Sequence, residues 1–244
     1  MSTHLTRQAM ALAGLALATV LAHADEAAIR KNLADRMPQL PKIDEISKTP
    51  IPGIYELRMG VDVIYTDENG SHLIEGALFD TKTQTDLTKA RIDKLTAIDF
   101  SSLPLKDALV FKQGTGLRKV AVFADPNCGY CKRIERDLLS LKDVTIYTYL
   151  LPILGPDSTT KTRDIWCAKD GAKTWRAWMI DGVTPAKSPA TCDTAAIERN
   201  LELGRRYKVN GTPAVVFEDG TRAPGAIPAD RLEQRMKEAS ARKS

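Results

Sequence analysis

The sequence predicts an α/β protein built from a small α+β unit followed by a larger α/β domain. Residues 54–79 contain short β-branched and aromatic runs separated by a glycine and an Asn-Gly pair, which is typical of antiparallel strands. From Leu105 onward, strand-like runs alternate with helical patterns. That alternation indicates a mixed sheet covered by helices.

The first 24 residues have the features of a secretory signal peptide. Arg7 precedes an apolar stretch from Ala9 to Ala22, and the small-residue ending predicts cleavage after Ala24. The apolar stretch is shorter than the ~20 residues that a membrane helix needs. We therefore expect a soluble, exported mature protein.

Length, charge and cysteine content narrow the class of protein. The mature chain has 220 residues, which favours two domains. Its formal charge falls from +4 to +3 on removal of Arg7, and the charged residues are interspersed, which argues against a nucleic-acid partner. All four cysteines remain after cleavage, and an even number suits an oxidising compartment.

The small unit is predicted to begin with an amphipathic helix over residues 25–37, because Ile29, Leu33 and Met37 recur at helical spacing before Pro38. A proline-marked loop follows. Two strands around Gly60 and a third over 71–79 complete the unit. About 55 residues form a marginal core, so we expect pairing with a second copy.

A connecting helix is predicted next, from about Asp86 to Ile98, as a rigid spacer. The larger domain then follows, with a helical region between its third and fourth strands and a helix at its end. Its predicted strands are 108–111, 119–123, 144–150 and 214–217.

Cys128 and Cys131 form a C-x-x-C pair between the apolar run 120–123 and a helix-like stretch, a placement typical of a thioredoxin-like redox site. A helix N-terminus favours the thiolate, so we expect a depressed pKa for Cys128 and assign it as the nucleophile. Cys131, one turn further on, is expected to resolve the mixed disulfide. Gly129 and Tyr130 between them are expected to tune the redox poise.

A zinc knuckle is the main alternative for this pair. Zinc needs a second pair or a nearby histidine, but Cys167 and Cys192 lie far apart in sequence. The histidine that remains after cleavage, His72, falls in the other domain, which also weakens a Cys-His hydrolase. We therefore expect no metal and no cofactor.

Cys167 and Cys192 are interpreted as one structural disulfide. Such a bridge closes about 26 residues and would stabilise the fold by roughly 3.5 kcal/mol in the chain-entropy model. A second redox-active pair remains the alternative, although neither cysteine follows an evident strand-to-helix junction.

A second motif, Gly211-Thr212-Pro213, leads into the strand 214–217. A turn into a strand is where a cis proline is tolerated, and the backbone before it could pair with an incoming chain. We therefore predict Thr212 and Pro213 as substrate-binding residues. Asp125, which ends the preceding strand, is interpreted as a loop or capping residue in preference to a proton-transfer group.

Together these motifs resemble the DsbC/DsbG family of periplasmic thiol:disulfide interchange proteins. The resemblance covers essentially the whole mature chain and is carried by residues 128–131, 165–170 and 211–216. It is closer to the DsbC branch, because the DsbG-like branch typically has proline at the position of Gly129.

The resemblance implies a signal peptide (1–24), an N-terminal dimerisation domain (25–82), a linker helix (83–104) and a thioredoxin-like catalytic domain with a helical insertion (105–244). It implies a V-shaped homodimer in the periplasm, kept reduced by a DsbD-type membrane reductant. In that family pattern Cys128 and Cys131 are the redox pair, Pro213 is the cis proline, and Cys167 with Cys192 is the structural bridge.

The sequence thus favours a disulfide isomerase that acts on misfolded exported proteins with wrong disulfides. A net dithiol oxidase or reductase, which needs no dimerisation domain, is the nearest alternative. A DsbG-like holdase chaperone, which binds unfolded chains without thiol chemistry, is the alternative from another class.

Overall fold

The computed structural model describes residues 26–243 and divides them into two compact units that meet between Leu95 and Thr96. The predicted signal peptide, residues 1–24, lies outside the described residues. In the described part of the chain, no helix is both long and apolar enough to cross a membrane.

The first unit packs one helix against a four-stranded antiparallel sheet with strand order β1-β2-β3-β4. Its buried core consists of Ile29 and Leu33 from the helix with Tyr55 and Leu57 from the sheet. The elements are α1 (26–36), β1 (Glu45–Lys48), β2 (Ile54–Met59), β3 (Asp62–Asp67), β4 (Leu73–Ile74), β5 (Phe79–Asp80), β6 (Thr85–Asp86) and α2 (Leu87–Leu95).

Two strands of this unit differ from the prediction. The strand β1 was missed; it is only four residues long and is held by pairing with β2 and by an ion pair between Glu45 and Arg58. The predicted third strand over 71–79 is wrong, because within that range only Leu73–Ile74 (β4) pairs with β3. The backbone of Leu78 bonds instead to Leu87 and to the Thr88 hydroxyl, which starts a separate hairpin.

The predicted linker helix is also shorter than expected. Of residues 83–104, Leu87–Leu95 are α-helical, and this helix belongs to the first unit rather than forming a free spacer. Arg91 binds Glu56 on β2 and Glu45 on β1, each at 2.8 Å. The helix stops because the chain beyond it packs elsewhere: the buried Ile98 donates its N–H to Gly220, within the second unit.

The second unit is a mixed five-stranded sheet with helices around it, and the α/β prediction is confirmed. The strand order is β11-β10-β8-β9-β7, with β8 and β9 parallel and the other neighbours antiparallel. The elements are β7 (Leu109–Gln113), β8 (Arg118–Ala124), α3 (Gly129–Leu139), β9 (Val144–Leu150), α4 (Pro156–Trp166), α5 (Gly171–Asp181), α6 (Ala195–Arg206), β10 (Ala214–Phe217), β11 (Arg222–Pro224) and α7 (Ala229–Lys243).

Both faces of this sheet are buried, which explains why β8 reads as a continuous apolar run. Val120 and Val122 point into a core shared with α3, α5 and α7. Ala121 and Phe123 point into a second core beneath α6. The site described next lies where β8 ends between these two layers.

The strands β9 and β10 have the predicted bounds, whereas β11 was not predicted. Only three residues long, β11 is the edge strand of the sheet and pairs with β10. A strand of that length carries too little sequence pattern to be recognised by alternation.

Candidate active site

Cys128 is the N-cap of α3, at the end of the loop that follows β8. Its backbone is extended (φ −76°, ψ 117°), and its Sγ accepts the N–H of Cys131 at 3.3 Å. The N–H of Cys131 and the positive end of the helix dipole therefore face this sulfur. A helix N-terminus in general favours a negatively charged group at its cap, and a nucleophilic thiolate is such a group.

Cys131 has different surroundings, although it is only three residues further on. Both cysteines are free thiols, with 6% of Cys128 and 0% of Cys131 exposed. Burial raises the pKa of the Cys131 thiol, and its hydrogen bond with Cys128 raises it further. Burial therefore favours the protonated form of Cys131, whereas Cys128, although only 6% exposed, lines the groove described below.

The Gly-Thr-Pro motif lies directly against the cysteine pair, although it follows 84 residues later. The Cys128 thiol donates to the Thr212 carbonyl at 3.2 Å, and the peptide bond between Thr212 and Pro213 is cis. The Pro213 carbonyl accepts the N–H of Gly225 at 2.8 Å, which ties this turn to β11. The structure thus brings together the two sequence motifs that were predicted to share a site.

A groove of about 600 Å³ lies over Cys128. Three large apolar or aromatic side chains are exposed along it, with 67% of Tyr130, 40% of Ile153 and 55% of Leu154 accessible. Its lining residues are Asn127, Cys128, Gly129, Tyr130, Ile153, Leu154, Val209, Asn210, Gly211 and Thr212. The groove combines the sulfur of Cys128, the backbone at Thr212 and an apolar rim.

Ile153 and Leu154 were not identified from the sequence. A signal was present, because these two apolar residues sit between Pro152 and Pro156, directly after a strand that runs parallel to β8. Adjacent parallel strands end at the same edge of a sheet, so the loops after them are neighbours.

Asp125 is fully buried at the end of β8, and its carboxylate accepts hydrogen bonds from two loops and from α4. All of these donors are N–H or hydroxyl groups of the protein. The side chain therefore acts in a capping role, as interpreted from its position after a strand.

A second buried acid was missed by the sequence analysis. Glu135 lies in α3, one turn beyond Cys131, and its Oε1 accepts the indole N–H of Trp175 at 2.7 Å. Burial raises the pKa of the Glu135 carboxyl, while the charge of Arg176 acts in the opposite direction. Glu135 is surrounded in the sequence of α3 by other charged residues, so nothing in the sequence indicates that its side chain is buried.

The second pair of cysteines is joined in the structure. Cys167 caps the C-terminus of α4 and forms a disulfide with Cys192, with the two Cα atoms 5.9 Å apart. The bridge attaches the segment that leads into α6 to the end of α4. Near it, the Trp166 indole donates to the Asp193 carbonyl at 3.1 Å.

Comparison with known proteins gives a consistent picture for both units. A family model described as a thioredoxin-like domain matches residues 105–240, and one described as the N-terminal domain of disulfide bond isomerase proteins matches residues 20–89. A crystal structure of a disulfide interchange protein from Neisseria gonorrhoeae is similar, with 37% identity and a TM-score of 0.53, over 56% of this chain and 98% of that one.

Similar curated sequences cover most of the chain. A probable thiol:disulfide interchange protein DsbC from Bordetella parapertussis is 46% identical over 209 residues, covering 86% of this chain and 73% of that protein. The thiol:disulfide interchange protein DsbC of Escherichia coli K12 is 30% identical over 233 residues, covering 92% of each.

Proposed function

Because this chain belongs to the DsbC family of thiol:disulfide interchange proteins, we propose that it is a disulfide isomerase that rearranges wrong disulfides of exported proteins through a mixed disulfide at Cys128. The observation that carries the proposal is the asymmetry of the cysteine pair. One sulfur caps a helix below an open groove, and the other is fully buried behind it.

The first step is a thiol–disulfide exchange, in which one S–S bond replaces another without any net oxidation or reduction. The Cys128 thiolate attacks one sulfur of the substrate disulfide. A new S–S bond forms between Cys128 and the substrate, the old S–S bond breaks, and the second substrate sulfur leaves as a thiolate. N–H groups at the start of α3 stabilise the charge on Cys128 before the attack.

Two routes then release the enzyme. In isomerisation, another substrate thiolate attacks the substrate sulfur of the mixed disulfide, which forms a different substrate disulfide and returns Cys128 as a thiolate. In the second route, Cys131 gives up its proton and attacks Cys128, so that the substrate leaves reduced and the enzyme is oxidised. A reductant must then restore the dithiol, and we assign this role to a DsbD-type membrane protein.

The groove supplies the substrate contacts in this proposal. The backbone at Thr212, beside Pro213, faces Cys128 and provides an edge for an extended substrate chain. The exposed apolar side chains Ile153 and Leu154 suit the apolar segments that misfolded proteins expose. Gly129 and Tyr130 line the groove and are assigned to tuning of the redox poise.

The remaining parts of the proposal concern assembly and location. We assign homodimerisation to the DsbC N-terminal domain, whose small core leaves Ile51, Ile74 and Phe79 substantially exposed. We place the mature protein in the periplasm, in keeping with its predicted signal peptide and the disulfide between Cys167 and Cys192.

Refolding of scrambled ribonuclease by the reduced mature chain tests the mechanism. We expect activity to fall to the uncatalysed rate in Cys128→Ser. In Cys131→Ser we expect mixed disulfides to accumulate, because the resolving thiol is gone; non-reducing gels and mass spectrometry would detect them.

The same assay separates the alternatives. A holdase would keep suppressing aggregation of a reduced client in the double variant Cys128→Ala/Cys131→Ala, but it would not recover ribonuclease activity. A net oxidase would act on reduced ribonuclease and fail on the scrambled form. Unchanged isomerisation by Cys128→Ser would contradict the proposed mechanism.

A further inference from the structure

The Asp125 carboxylate links two of the three segments that line the groove over Cys128. Its Oδ1 accepts the N–H of Asn127 at 2.7 Å, in the loop that leads to Cys128. Its Oδ2 accepts the N–H groups of Ile153 at 2.8 Å and Leu154 at 3.0 Å. These two residues form the apolar rim of the groove.

A third element is attached to the same carboxylate. The buried Ser158 hydroxyl, in the first turn of α4, donates to Oδ1 at 2.7 Å. The Asn127 side chain also reaches α4, donating to Ser158 at 3.1 Å and to Asp157 at 2.7 Å. The loop that leads to Cys128 (the cysteine loop), the loop of Ile153 and Leu154 (the rim loop) and the start of α4 are therefore joined at the buried Asp125 side chain.

The four hydrogen bonds use the acceptor capacity of an ionised carboxylate. A carboxylate buried at 0% exposure is tolerated when it is satisfied in this way. No isosteric neutral side chain can replace it, because an amide has one acceptor oxygen. The NH₂ group would then face either the N–H groups of Ile153 and Leu154 or the N–H of Asn127 together with the Ser158 hydroxyl.

We propose that Asp125 is a positioning residue that fixes the place of the apolar rim, Ile153 and Leu154, relative to Cys128. It thereby makes the enzyme react preferentially with protein disulfides over small disulfides. The inference rests on the proposed function of the groove. A small disulfide needs only the Cys128 sulfur, whereas a protein chain must also contact the rim. Displacing the rim should therefore penalise the protein substrate selectively.

The test compares two rates for each variant: recovery of scrambled ribonuclease and reaction of reduced enzyme with hydroxyethyl disulfide. In Asp125→Asn we expect the ratio of the first rate to the second to fall by about tenfold or more, since small misplacements of binding groups have effects of this size. Amide hydrogen exchange at Ile153 and Leu154 should accelerate in the same variant.

Asp219→Asn is the matched control. The Asp219 carboxylate is also largely buried and caps a turn by accepting from Thr221, but it lies beyond Phe217, at the opposite end of β10 from Pro213. There we expect both rates to change together, so that their ratio stays within about twofold of the wild type. A merely structural role for Asp125 would give that same parallel change in Asp125→Asn, and would overturn the inference.

A second variant keeps the test decisive if Asp125→Asn does not fold. Ile153→Ala/Leu154→Ala removes the rim itself at exposed positions, so the fold should persist, and the ratio should again fall. Leu117→Ala, at a highly exposed position just before β8, controls for loss of surface apolar area. An unchanged ratio in the rim variant overturns the inference.

The wild type and Cys128→Ser, run in the same assay, separate this inference from the proposed function. If the wild type shows no recovery that depends on Cys128, the proposed function fails. If that recovery is present but the ratios are the same in all variants, only the role of Asp125 fails.

Discussion

Cys128 and Cys131 are three residues apart, yet their sulfurs have different surroundings. The first caps a helix and borders an open groove, and the second is enclosed by the core of α3 and its neighbours. The enclosed thiol has a raised pKa. In the proposed mechanism this delays the attack of Cys131 on the mixed disulfide, so that a substrate thiol has time to attack first, which favours isomerisation.

Glu135 provides a pH-dependent prediction for the same helix. Its pKa in the folded protein is raised above the unfolded value near 4.5. Below that value the carboxyl is protonated in both states. As the pH rises above it, the unfolded chain loses the proton first, so the free energy of unfolding falls until the folded pKa is passed.

We therefore expect Glu135→Gln to become more stable relative to wild type as the pH rises from 4 upward, with a slope difference of at most about 1.4 kcal/mol per pH unit. Glutamine keeps an acceptor for the Trp175 indole. Urea unfolding at a series of pH values measures the effect, with the exposed Glu198→Gln as control. Parallel stability curves for Glu135→Gln and wild type would contradict the prediction.

At the scale of elements, the disulfide between Cys167 and Cys192 fastens a segment without regular structure to the end of α4. We expect Cys167→Ala/Cys192→Ala to lower the free energy of unfolding by about 3.5 kcal/mol, because the unfolded chain regains the freedom of the closed loop. Denaturant unfolding under non-reducing conditions measures this. Under reducing conditions, the variant and the wild-type chain should have the same free energy of unfolding.

The same double variant distinguishes a structural bridge from a second redox pair. With a structural bridge, the isomerisation that depends on Cys128 persists at temperatures where the variant is folded. Mass spectrometry after mild reduction gives an independent readout. If the bridge opens as readily as the pair Cys128–Cys131, the structural interpretation is wrong.

The limits of sequence patterns are clearest at the ends of the predicted helices and strands. The strands β9 and β10 were predicted to the residue because they are apolar runs with marked ends. The helix α2 was predicted too long, because its apolar spacing continues to Ile98, and that residue packs in the second unit. The periodicity of apolar residues does not indicate in which of the two units a buried side chain packs.

For the whole molecule, the property to measure is the oligomeric state. In the part of the first unit that the structure describes, the apolar core cluster has four buried members, and several other apolar residues are exposed. We expect the mature chain to sediment as a homodimer, and a fragment starting at Thr96 to sediment as a monomer. A monomeric mature chain would favour the net oxidase.

The sequence by itself determined the α/β class and located the C-x-x-C pair and the Gly-Thr-Pro turn, because each depends on neighbouring residues or on a short motif. The family resemblance, which the comparisons confirm, followed from the order of those motifs. The roles of the individual site residues stay predictions that the refolding assay tests.

Only the tertiary structure decided which groups surround the two sulfurs. The Trp175 indole meets Glu135 from 40 residues away, and Asp125 reaches the loop of Ile153 and Leu154 across 28 residues. The motifs predicted that Thr212 lies in the site, but not that its carbonyl accepts the Cys128 thiol. Such contacts depend on strand register and on the packing of helices against the sheet. Local propensity and spacing carry no information about either, so these contacts could not be read from the sequence.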